Sequence, residues 1–324
     1  MLTLVTGATG FIGRRLIAEI SPQERACRLL SRTPIDGPYE CVVGTLSDKA
    51  ALVRACANVA SVFHCAGYAH AHSANATNLH WQVNFQGTKN LIAAAGEAGV
   101  QRFVLLSSVK AMGDPGTACI DEKFSAPPTT TYGMAKRKAE EIVLEAGNKY
   151  DMHVVNLRLS LVYGAGGRGN LEKMGQLVRR GMFPPLPETG NKRSLVHVDD
   201  VVAAMQRVEQ DFRASGRTYI VTSSEAPSGR QIYDAMRTVL GMPQVHWSVP
   251  ELCLRLTGRC ADIGTHLLPG PLPLNSQAIN RLLDSAWYSA EKLESELGWR
   301  SRVSLLKGLA EMFSGGNECY PYYK

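Results

Sequence analysis

The sequence predicts an α/β protein built on a doubly wound parallel β-sheet, with a smaller and irregular C-terminal substrate domain. Three observations support this fold class. Short strand-like runs alternate with segments that favour helix. Most residues in these runs are apolar, as expected of strands that are covered on both faces. A glycine-rich turn joins the first run directly to the first predicted helix.

The strand-like runs are spaced so that a helix fits between most of them. The runs cover residues 2–6, 28–31, 41–43, 61–64, 102–106 and 153–157. The predicted helices cover residues 48–57, 82–98 and 132–147. Such strand–helix–strand units pair in parallel through right-handed crossovers, so helices are expected on both faces of one sheet.

The spacing Gly7-x-x-Gly10-x-x-Gly13 predicts a phosphate-binding turn between the first strand and the first helix. The first glycine permits a tight turn, the second lets the backbone approach a pyrophosphate, and the third lets helix and strand pack closely. The helix begins at Phe11 and Ile12, whose amides would supply N–H donors and a positive partial charge. A dinucleotide cofactor is therefore predicted.

Ser31 and Arg32 end the second strand, where a carboxylate would accept hydrogen bonds from the adenosine ribose of NAD. A neutral hydroxyl and a guanidinium suit the additional phosphate of NADP instead. Arg32 can also stack on the adenine while NAD binds. We therefore predict an NAD(P) cofactor, with a slight preference for NADP.

The character of the chain changes after about residue 165. Glycine and proline become frequent and the predicted helices become shorter, which indicates a second domain built around a ligand. Strand-like runs near residues 195–222 indicate that the chain returns to the sheet there. We place a dinucleotide-binding domain at residues 1–165 and a mainly substrate-binding domain at residues 166–324.

Tyr132 and Lys136 are four residues apart at the start of a predicted helix, so they lie on one face, one turn apart. Ser108 ends the fifth strand, and the carboxyl ends of such strands face the ligand crevice. A free phenol has a pKa of about 10, which a nearby ammonium and a positive nicotinamide ring would lower. We predict that Tyr132 exchanges a proton with a substrate oxygen during hydride transfer. Ser108 would orient that oxygen, and Lys136 would also bind the nicotinamide ribose.

The composition argues against several other classes of protein. A net charge of +6 over 324 residues suits an anionic small molecule, and there is no basic run for nucleic acid. No apolar stretch is long enough to cross a membrane, and the N-terminus does not resemble a signal peptide. Eight scattered cysteines without a CxxC pair predict reduced thiols in a cytoplasmic protein. No cysteine or carboxylate cluster lies near His70 and His72, so no metal site is predicted.

The glycine turn, Ser108 and the Tyr132-x-x-x-Lys136 pair together resemble the extended branch of the short-chain dehydrogenase/reductase superfamily. Further motifs are similar to UDP-glucose 4-epimerase-like nucleotide-sugar enzymes of the NAD-dependent epimerase/dehydratase family, at residues 83–91, 158–164, 193–201 and 297–299. Others resemble a bacterial subgroup acting on N-acetylhexosamine precursors of surface polysaccharides, at residues 107–110, 169–170 and 184–187. The resemblance implies a Rossmann domain, a nucleotide-sugar substrate and a possible homodimer.

The same resemblance implies roles for several residues of the second half. Asn170 opens the helix that binds the nucleotide diphosphate, and Arg193 contacts its phosphate. A helix N-terminus and a guanidinium are both suited to hold an anion. Arg281 is either a second phosphate ligand or a surface residue. His197 and Asp199-Asp200 are expected to join the two domains rather than to take part in chemistry.

Two reactions fit the predicted site. In a 4-epimerase, Tyr132 deprotonates the sugar 4-hydroxyl, hydride passes to the cofactor, and the 4-keto sugar turns to receive it on the other face. In a 4-ketoreductase, a 4-keto-6-deoxy sugar accepts hydride from NADPH and Tyr132 supplies the proton. The overall resemblance favours a UDP-hexose or UDP-N-acetylhexosamine 4-epimerase, whereas Ser31 and Arg32 favour the reductase. A reductase of apolar steroids or phenolics is a third interpretation.

Overall fold

The computed structural model of the protein describes residues 1–20, 26–69, 76–167, 169–264 and 276–314. The strands are β1 (Leu2–Thr6), β2 (Ala26–Ser31), β3 (Glu40–Val43), β4 (Ser61–His64), β5 (Arg102–Ser108), β6 (Cys119–Ile120), β7 (His153–Leu159), β8 (Leu161–Tyr163), β9 (Leu195–His197), β10 (Arg217–Val221) and β11 (Trp287–Tyr288). The helices are α1 (Phe11–Glu19), α2 (Lys49–Cys56), α3 (Ala76–Leu79), α4 (Thr88–Glu97), α5 (Thr131–Tyr150), α6 (Asn170–Arg179), α7 (Val198–Gln210), α8 (Gly229–Val239), α9 (Glu251–Gly264), α10 (Ser276–Leu283), α11 (Glu291–Leu297) and α12 (Leu305–Phe313). A π-helical segment, His80–Gly87, connects α3 to α4.

Seven of the strands form one parallel sheet in the order β10–β7–β5–β4–β1–β2–β3. From β1 the chain moves outward through β2 and β3, then crosses to β4 on the other side. This reversal beside β1 is the point at which doubly wound sheets bind ligands, outside the carboxyl ends of their strands. The predicted fold class is confirmed.

The register of the sheet places the ends of its central strands at different heights. His64 ends β4 opposite Leu105, whereas β5 continues to Ser108, which lies opposite Leu159 of β7. Ser108 therefore projects beyond the end of β4. This step leaves Ser108 at the carboxyl edge of the sheet, separated from β1 by β4.

Two apolar cores cover the two faces of the sheet. Val5 contributes to the core that contains residues of α1, α7 and α11, whereas Leu4 contributes to the core with α2, α4 and α5. Successive side chains of a strand point to opposite faces, so each strand must be apolar on both. This double coverage explains why the strands read as continuous apolar runs.

A third apolar core lies in the second half of the chain and is formed by residues of α6, α8, α9, α10 and α12. The chain returns to the large sheet through α7 and β10, within the predicted region, and again through α11, whose Leu293 and Leu297 are buried. The strand-like run near residue 195 does not join the large sheet. It forms β9, which pairs with β8, because β10 occupies the open edge of β7.

The start of α7 connects this second half to the sheet. The carboxylate of Asp200 accepts hydrogen bonds from the backbone amides of Arg302 (2.8 Å) and Val303 (3.1 Å). Asp199 forms a bidentate ion pair with Arg15 of α1. These contacts of Asp199 and Asp200 connect separate elements of the fold, which agrees with the joining role predicted for the two residues.

Two further observations concern membrane-spanning helices and the cysteines. Among the helices of the described ranges, none has the length and apolar character needed to cross a bilayer. The seven cysteines within these ranges are free thiols.

Candidate active site

The glycine turn has the geometry that the spacing predicts. Gly7 has a φ of +71°, and a Cβ at this position would lie 2.6 Å from the backbone nitrogen of Ala66. A Cβ on Gly13 would lie 2.2 Å from the carbonyl oxygen of Gly7, so helix and turn are in direct backbone contact. Gly10 caps α1 without a side-chain hydrogen bond, and the first turn holds no acidic residue. The amides at Phe11 and Ile12 are therefore available to an anion.

Ser31 and Arg32 lie at the carboxyl end of β2, next to this turn in the sheet order. Ser31 is partly buried, and its hydroxyl accepts a weak hydrogen bond from the amide of Thr33 at 3.4 Å. Arg32 is exposed, so its guanidinium is accessible to a phosphate or an adenine ring. Both interpretations of Arg32 remain compatible with this position.

A buried histidine that the sequence interpretation missed links β1 to α4. His64 is completely buried between the hydroxyls of Thr6 (2.7 Å) and Thr88 (2.9 Å). Thr88 in turn donates to the carbonyl of Asn84 at 2.7 Å. Burial, followed by the charge of Lys136, lowers the pKa of His64 to about 3. His64 is therefore neutral, and its two hydrogen bonds connect β1 to α4. The apolar composition of β4 gave no signal of this role.

Local packing at the start of α5 sets the position of Tyr132. The hydroxyl of Thr130 caps the helix by accepting a hydrogen bond from the amide of Gly133 at 3.1 Å. A Cβ on Gly133 would lie 2.1 Å from the carbonyl oxygen of Lys110, so the helix presses directly on the turn that follows β5. The side chain of Tyr132 consequently lies close enough to the Ser108 hydroxyl for that hydroxyl to favour the ionised phenol.

The predicted direction of the Tyr132 pKa is wrong for the protein's own residues. Burial of the Tyr132 phenol raises its pKa. The interaction with the Ser108 hydroxyl only partly opposes this rise. The desolvation of a phenolate thus outweighs the available stabilisation. A positive ligand beside Tyr132 would have to supply the remaining stabilisation of the ionised form.

Lys136 lies one turn further along α5, as predicted, and its side chain is only 5 % exposed. Its ammonium donates to the carbonyl of Leu106 at 2.8 Å. A Cβ on Gly67 would lie 3.3 Å from Nζ, so the loop after β4 also approaches this group. Burial lowers the pKa of Lys136 to about 8, and the negative charge of Glu140 partly opposes the shift.

A buried ion pair between Glu140 and Arg158 connects α5 to the sheet. Glu140, one turn beyond Lys136, accepts hydrogen bonds from Arg158 at 2.7 and 3.0 Å and from the hydroxyl of Ser107 at 2.5 Å. Glu140 and Arg158 are both almost completely buried. The network ties α5 to β5 and β7 directly beneath the Tyr132–Lys136 turn.

Three cationic side chains, Lys110, Arg193 and Arg281, lie close enough together for their charges to interact. Burial lowers the pKa of Arg193, and the charge of Arg281 contributes to the same shift. Lys110 keeps solvent access, yet partial burial lowers its pKa, and Arg193 and Arg281 lower it further. The structure therefore brings together two residues predicted from the resemblance and a third, Lys110, that was not predicted.

Within this cationic cluster of Lys110, Arg193 and Arg281, polar contacts hold Arg193 in place. Arg193 donates through its backbone to Pro227 (3.0 Å) and through its guanidinium to the carbonyl of Asp284 (3.3 Å). Like charges repel, so their gathering raises the free energy of the ligand-free protein. A bound anion would remove this cost.

Asn170 occupies the first position of α6, as predicted, and is exposed. The N-terminus of this helix has no side-chain cap. Asn170 lines a small cavity with Tyr163, Gly164 and Gly167. A Cβ on Gly167 would lie 3.4 Å from the ring of Phe11, so this cavity adjoins the glycine turn.

One group of potential metal ligands occurs within the described ranges. His197, Asp199 and Glu311 bring their ligand atoms within 4.8 Å of one another. Asp199 is already neutralised by its bidentate ion pair with Arg15, which makes this group an ion-pair network rather than an open cation site. His70 and His72 lie outside the described residues.

Comparison with known proteins supports the assignment of the fold and the family. The model of the NAD dependent epimerase/dehydratase family matches residues 3–222. UDP-glucose 4-epimerase of Vibrio cholerae is 27 % identical over 320 residues, which cover 95 % of this chain and 93 % of that protein. The 2-alkyl-3-oxoalkanoate reductase of Stenotrophomonas maltophilia is 26 % identical over 334 residues, covering 96 % and 98 % of the two chains.

A solved structure shows the same fold at lower identity. UDP-glucose 4-epimerase of Thermotoga maritima, crystallised with UDP-glucose, superposes with a TM-score of 0.76 at 20 % identity, covering 96 % of this chain and 97 % of that one. The family model matches more than two thirds of the chain, which also has the glycine turn and the parallel sheet of this fold. This protein is therefore an extended short-chain dehydrogenase/reductase enzyme that belongs to the NAD dependent epimerase/dehydratase family.

Proposed function

We propose that the protein is a nucleotide-sugar C4 redox enzyme, and specifically a UDP-hexose or UDP-N-acetylhexosamine 4-epimerase. The observation that supports this proposal is the mutual influence of the three cations of the cluster, one of which, Lys110, follows Ser108 by two residues, together with the interaction of Ser108 with Tyr132. A phosphate held by the cluster would leave the attached sugar next to the phenol. The subgroup resemblance extends the proposal to precursors of bacterial surface polysaccharides.

The residues around the glycine turn fit a dinucleotide. The backbone leaves no room for a Cβ at Gly7 or Gly13, and the first amides of α1 have no side-chain cap, as a bound pyrophosphate requires. NAD(P), when bound, supplies reversible hydride acceptance at the sugar carbon. In the proposed site, the loop at Gly67 and the buried Lys136 ammonium would face the nicotinamide ribose.

Proton transfer is the chemical task that we assign to Tyr132. Its phenolate would take the proton of the sugar 4-hydroxyl, and Ser108 would orient this oxygen through its own hydroxyl. The ammonium of Lys136, charged in most molecules at neutral pH because its pKa is about 8, would favour the phenolate form. Return of the hydride to the other face of the 4-keto carbon, with return of the proton from Tyr132 to the same oxygen, would complete an epimerisation without net redox change.

A 4-ketoreductase is the second candidate, and Ser31 with Arg32 favours it. A reductase exchanges its cofactor at each turnover and therefore benefits from the NADPH preference that an exposed Arg32 would give. A reductase of an apolar ketone is the third candidate, supported by the similarity to the alkanoate reductase. The cationic cluster argues against it, because Asp114 and Asp284 offset only part of its positive charge and an apolar substrate would offset none of the rest.

The three candidates can be separated with purified protein. UDP-N-acetylglucosamine and UDP-glucose without added reductant test the epimerase. The UDP-4-keto-6-deoxy-N-acetylhexosamine with NADPH tests the 4-ketoreductase, and a 2-alkyl-3-oxoalkanoate with NADPH tests the third candidate. We expect formation of the 4-epimer in the first reaction. Turnover of the alkanoate alone would contradict the proposal.

Replacing Arg193 with alanine is expected to raise KM for the nucleotide sugar while kcat changes little. A hydrogen bond to a charged group contributes about 1.5–3 kcal/mol, which corresponds to about a 10- to 100-fold increase in KM. Lys110→Ala should act in the same direction with a smaller effect, because this side chain is more exposed. Steady-state kinetics measure both constants.

Arg217→Ala is the matched control, because Arg217 starts β10 at the amino edge of the sheet, away from the crevice. Its KM should equal that of the parent protein. Equal KM values for Arg193→Ala and Arg217→Ala would remove Arg193 from the binding site.

Replacing Arg32 with alanine is expected to weaken NADP binding more than NAD binding. A charge-assisted contact to the additional phosphate would be lost, which should cost NADP roughly 10-fold or more in affinity. Titration of both dinucleotides by calorimetry gives the two dissociation constants. Arg54→Ala, an exposed change on α2, is the control. Equal losses for both dinucleotides would contradict the NADP preference.

A further inference from the structure

The π-helical segment His80–Gly87 packs beside the start of α5. Its buried residues are His80, Asn84 and Gly87, so one face of the segment points into the protein. Short π-helical stretches inside α-helices are frequently found at functional sites, because the extra residue redirects side chains. This segment directs His80 and Asn84 toward the loop after β4 and toward Tyr132.

His80 is held in one orientation by this environment. Its Nδ1 lies 3.2 Å from the carbonyl oxygen of Tyr68. Asn84 fixes the same loop, because its side-chain amide donates to the Tyr68 carbonyl and its oxygen accepts from the Tyr68 amide, both at 2.8 Å. A carbonyl oxygen only accepts, so the contact with Tyr68 requires the tautomer with the proton on Nδ1, whereas the Asn84 amide nitrogen, 3.5 Å from the same atom, would donate to the other tautomer. The ring of Tyr68, at 5.2 Å, packs against the imidazole.

The fixed imidazole contacts the ring of Tyr132. The two ring centroids are 5.4 Å apart with an interplanar angle of 65°, which is an edge-to-face arrangement. Aromatic pairs of this geometry stabilise a defined relative orientation. Tyr132 lies in the first turn of α5, and its neighbour Gly133 has no side chain that could restrain it. The edge-to-face contact with His80 is therefore one restraint on the phenol ring, in addition to its interaction with Ser108.

We propose that His80 is a positioning residue for Tyr132, which holds the phenol in the orientation that meets Ser108. The imidazole acts through its edge-to-face contact and through its anchor on the Tyr68 carbonyl. It does not exchange a proton with substrate in this role. The kinetic part of this inference rests on the proposed function, whereas the orientation of the ring does not.

Kinetics with three variants test the positioning role. His80→Ala removes both the ring contact and the anchor, and misplacement of a reacting group should lower kcat roughly 10- to 100-fold with little change in KM. His80→Phe keeps an aromatic edge toward Tyr132 and should recover most of this loss. Trp81→Ala is the matched control, because Trp81 belongs to the same π-helical segment but packs on Phe85, at 5.7 Å. Its kcat should remain near that of the parent protein.

A substrate-independent measurement tests the ring orientation directly. With 3-fluorotyrosine incorporated at position 132, the ¹⁹F resonance reports the environment of this ring. We expect His80→Ala to move the resonance toward the value of the free amino acid, and His80→Phe and Trp81→Ala to leave it close to the parent value.

An unchanged resonance in His80→Ala would overturn the proposal, as would equal shifts in His80→Ala and Trp81→Ala. Parent protein that turns over none of the tested sugars would contradict the proposed function, and the ¹⁹F comparison would still decide the role of His80. Parent-like kcat in His80→Ala, in a protein that epimerises its sugar, would overturn the positioning role alone.

Discussion

Replacing Tyr132 with phenylalanine is expected to lower kcat by about 10²- to 10⁴-fold, the range that a positioned general acid–base group contributes. The substitution removes only the phenol oxygen, so the ring contact with His80 and the packing of α5 on the turn after β5 remain. Dinucleotide affinity should change little, because the glycine turn and Lys136 stay in place. The effect should therefore fall on the chemical step.

Product formation under substrate saturation and dinucleotide titration measure the two quantities separately. Tyr150→Phe is a matched control, since Tyr150 ends the same helix about 27 Å away from Tyr132, at 1.5 Å per residue. It should retain the parent kcat. Turnover by Tyr132→Phe at the parent rate would refute the assignment of Tyr132 as the proton-transfer group.

The largest effect on stability is expected from the buried ion pair between Glu140 and Arg158. Glu140→Gln removes the charge that compensates the Arg158 guanidinium in an environment from which water is excluded. Removing one partner of a buried pair typically lowers the free energy of unfolding by about 3–5 kcal/mol. The same change removes the charge that opposes the lowered pKa of Lys136, so this pKa should fall below about 8.

The neighbouring residue offers a close control. Glu141 pairs with Lys138 at 2.7 Å on the exposed side of the same helix, and exposed pairs contribute less than about 1 kcal/mol. Denaturant unfolding of Glu140→Gln and Glu141→Gln should thus give clearly different free energies. Equal values would mean that the buried pair does not stabilise the junction of α5, β5 and β7.

Much of the fold follows from local patterns in the sequence. The apolar runs became strands because residues buried on both faces of a sheet must be apolar, and the helices between them follow from chain connectivity. Gly7 and Gly13 occupy positions where the backbone excludes a Cβ, and a Cβ on Gly10 would lie 3.1 Å from the Gly7 carbonyl oxygen, so their spacing alone indicates the turn. The spacing of Tyr132 and Lys136 places them on one helical face wherever that helix packs.

The path of the second half was less predictable. The run that became β9 has the composition of a central strand, yet it pairs with β8, because β10 already occupies the edge of the large sheet. The return of the chain through α11 also depends on long-range packing, which places Leu293 and Leu297 in the core of the sheet. Composition indicates that a segment is buried, but it does not indicate which partner covers it.

The sequence by itself determined the α/β class, the glycine turn and the spacing of Ser108, Tyr132 and Lys136 along adjacent elements, because each depends on local backbone geometry. Only the tertiary structure decided which distant groups surround them. It placed His80 against Tyr132 and brought Lys110 to the predicted arginines. It also raised the pKa of Tyr132, because the cost of burying a charge depends on every group packed around it and not on the neighbours in the chain.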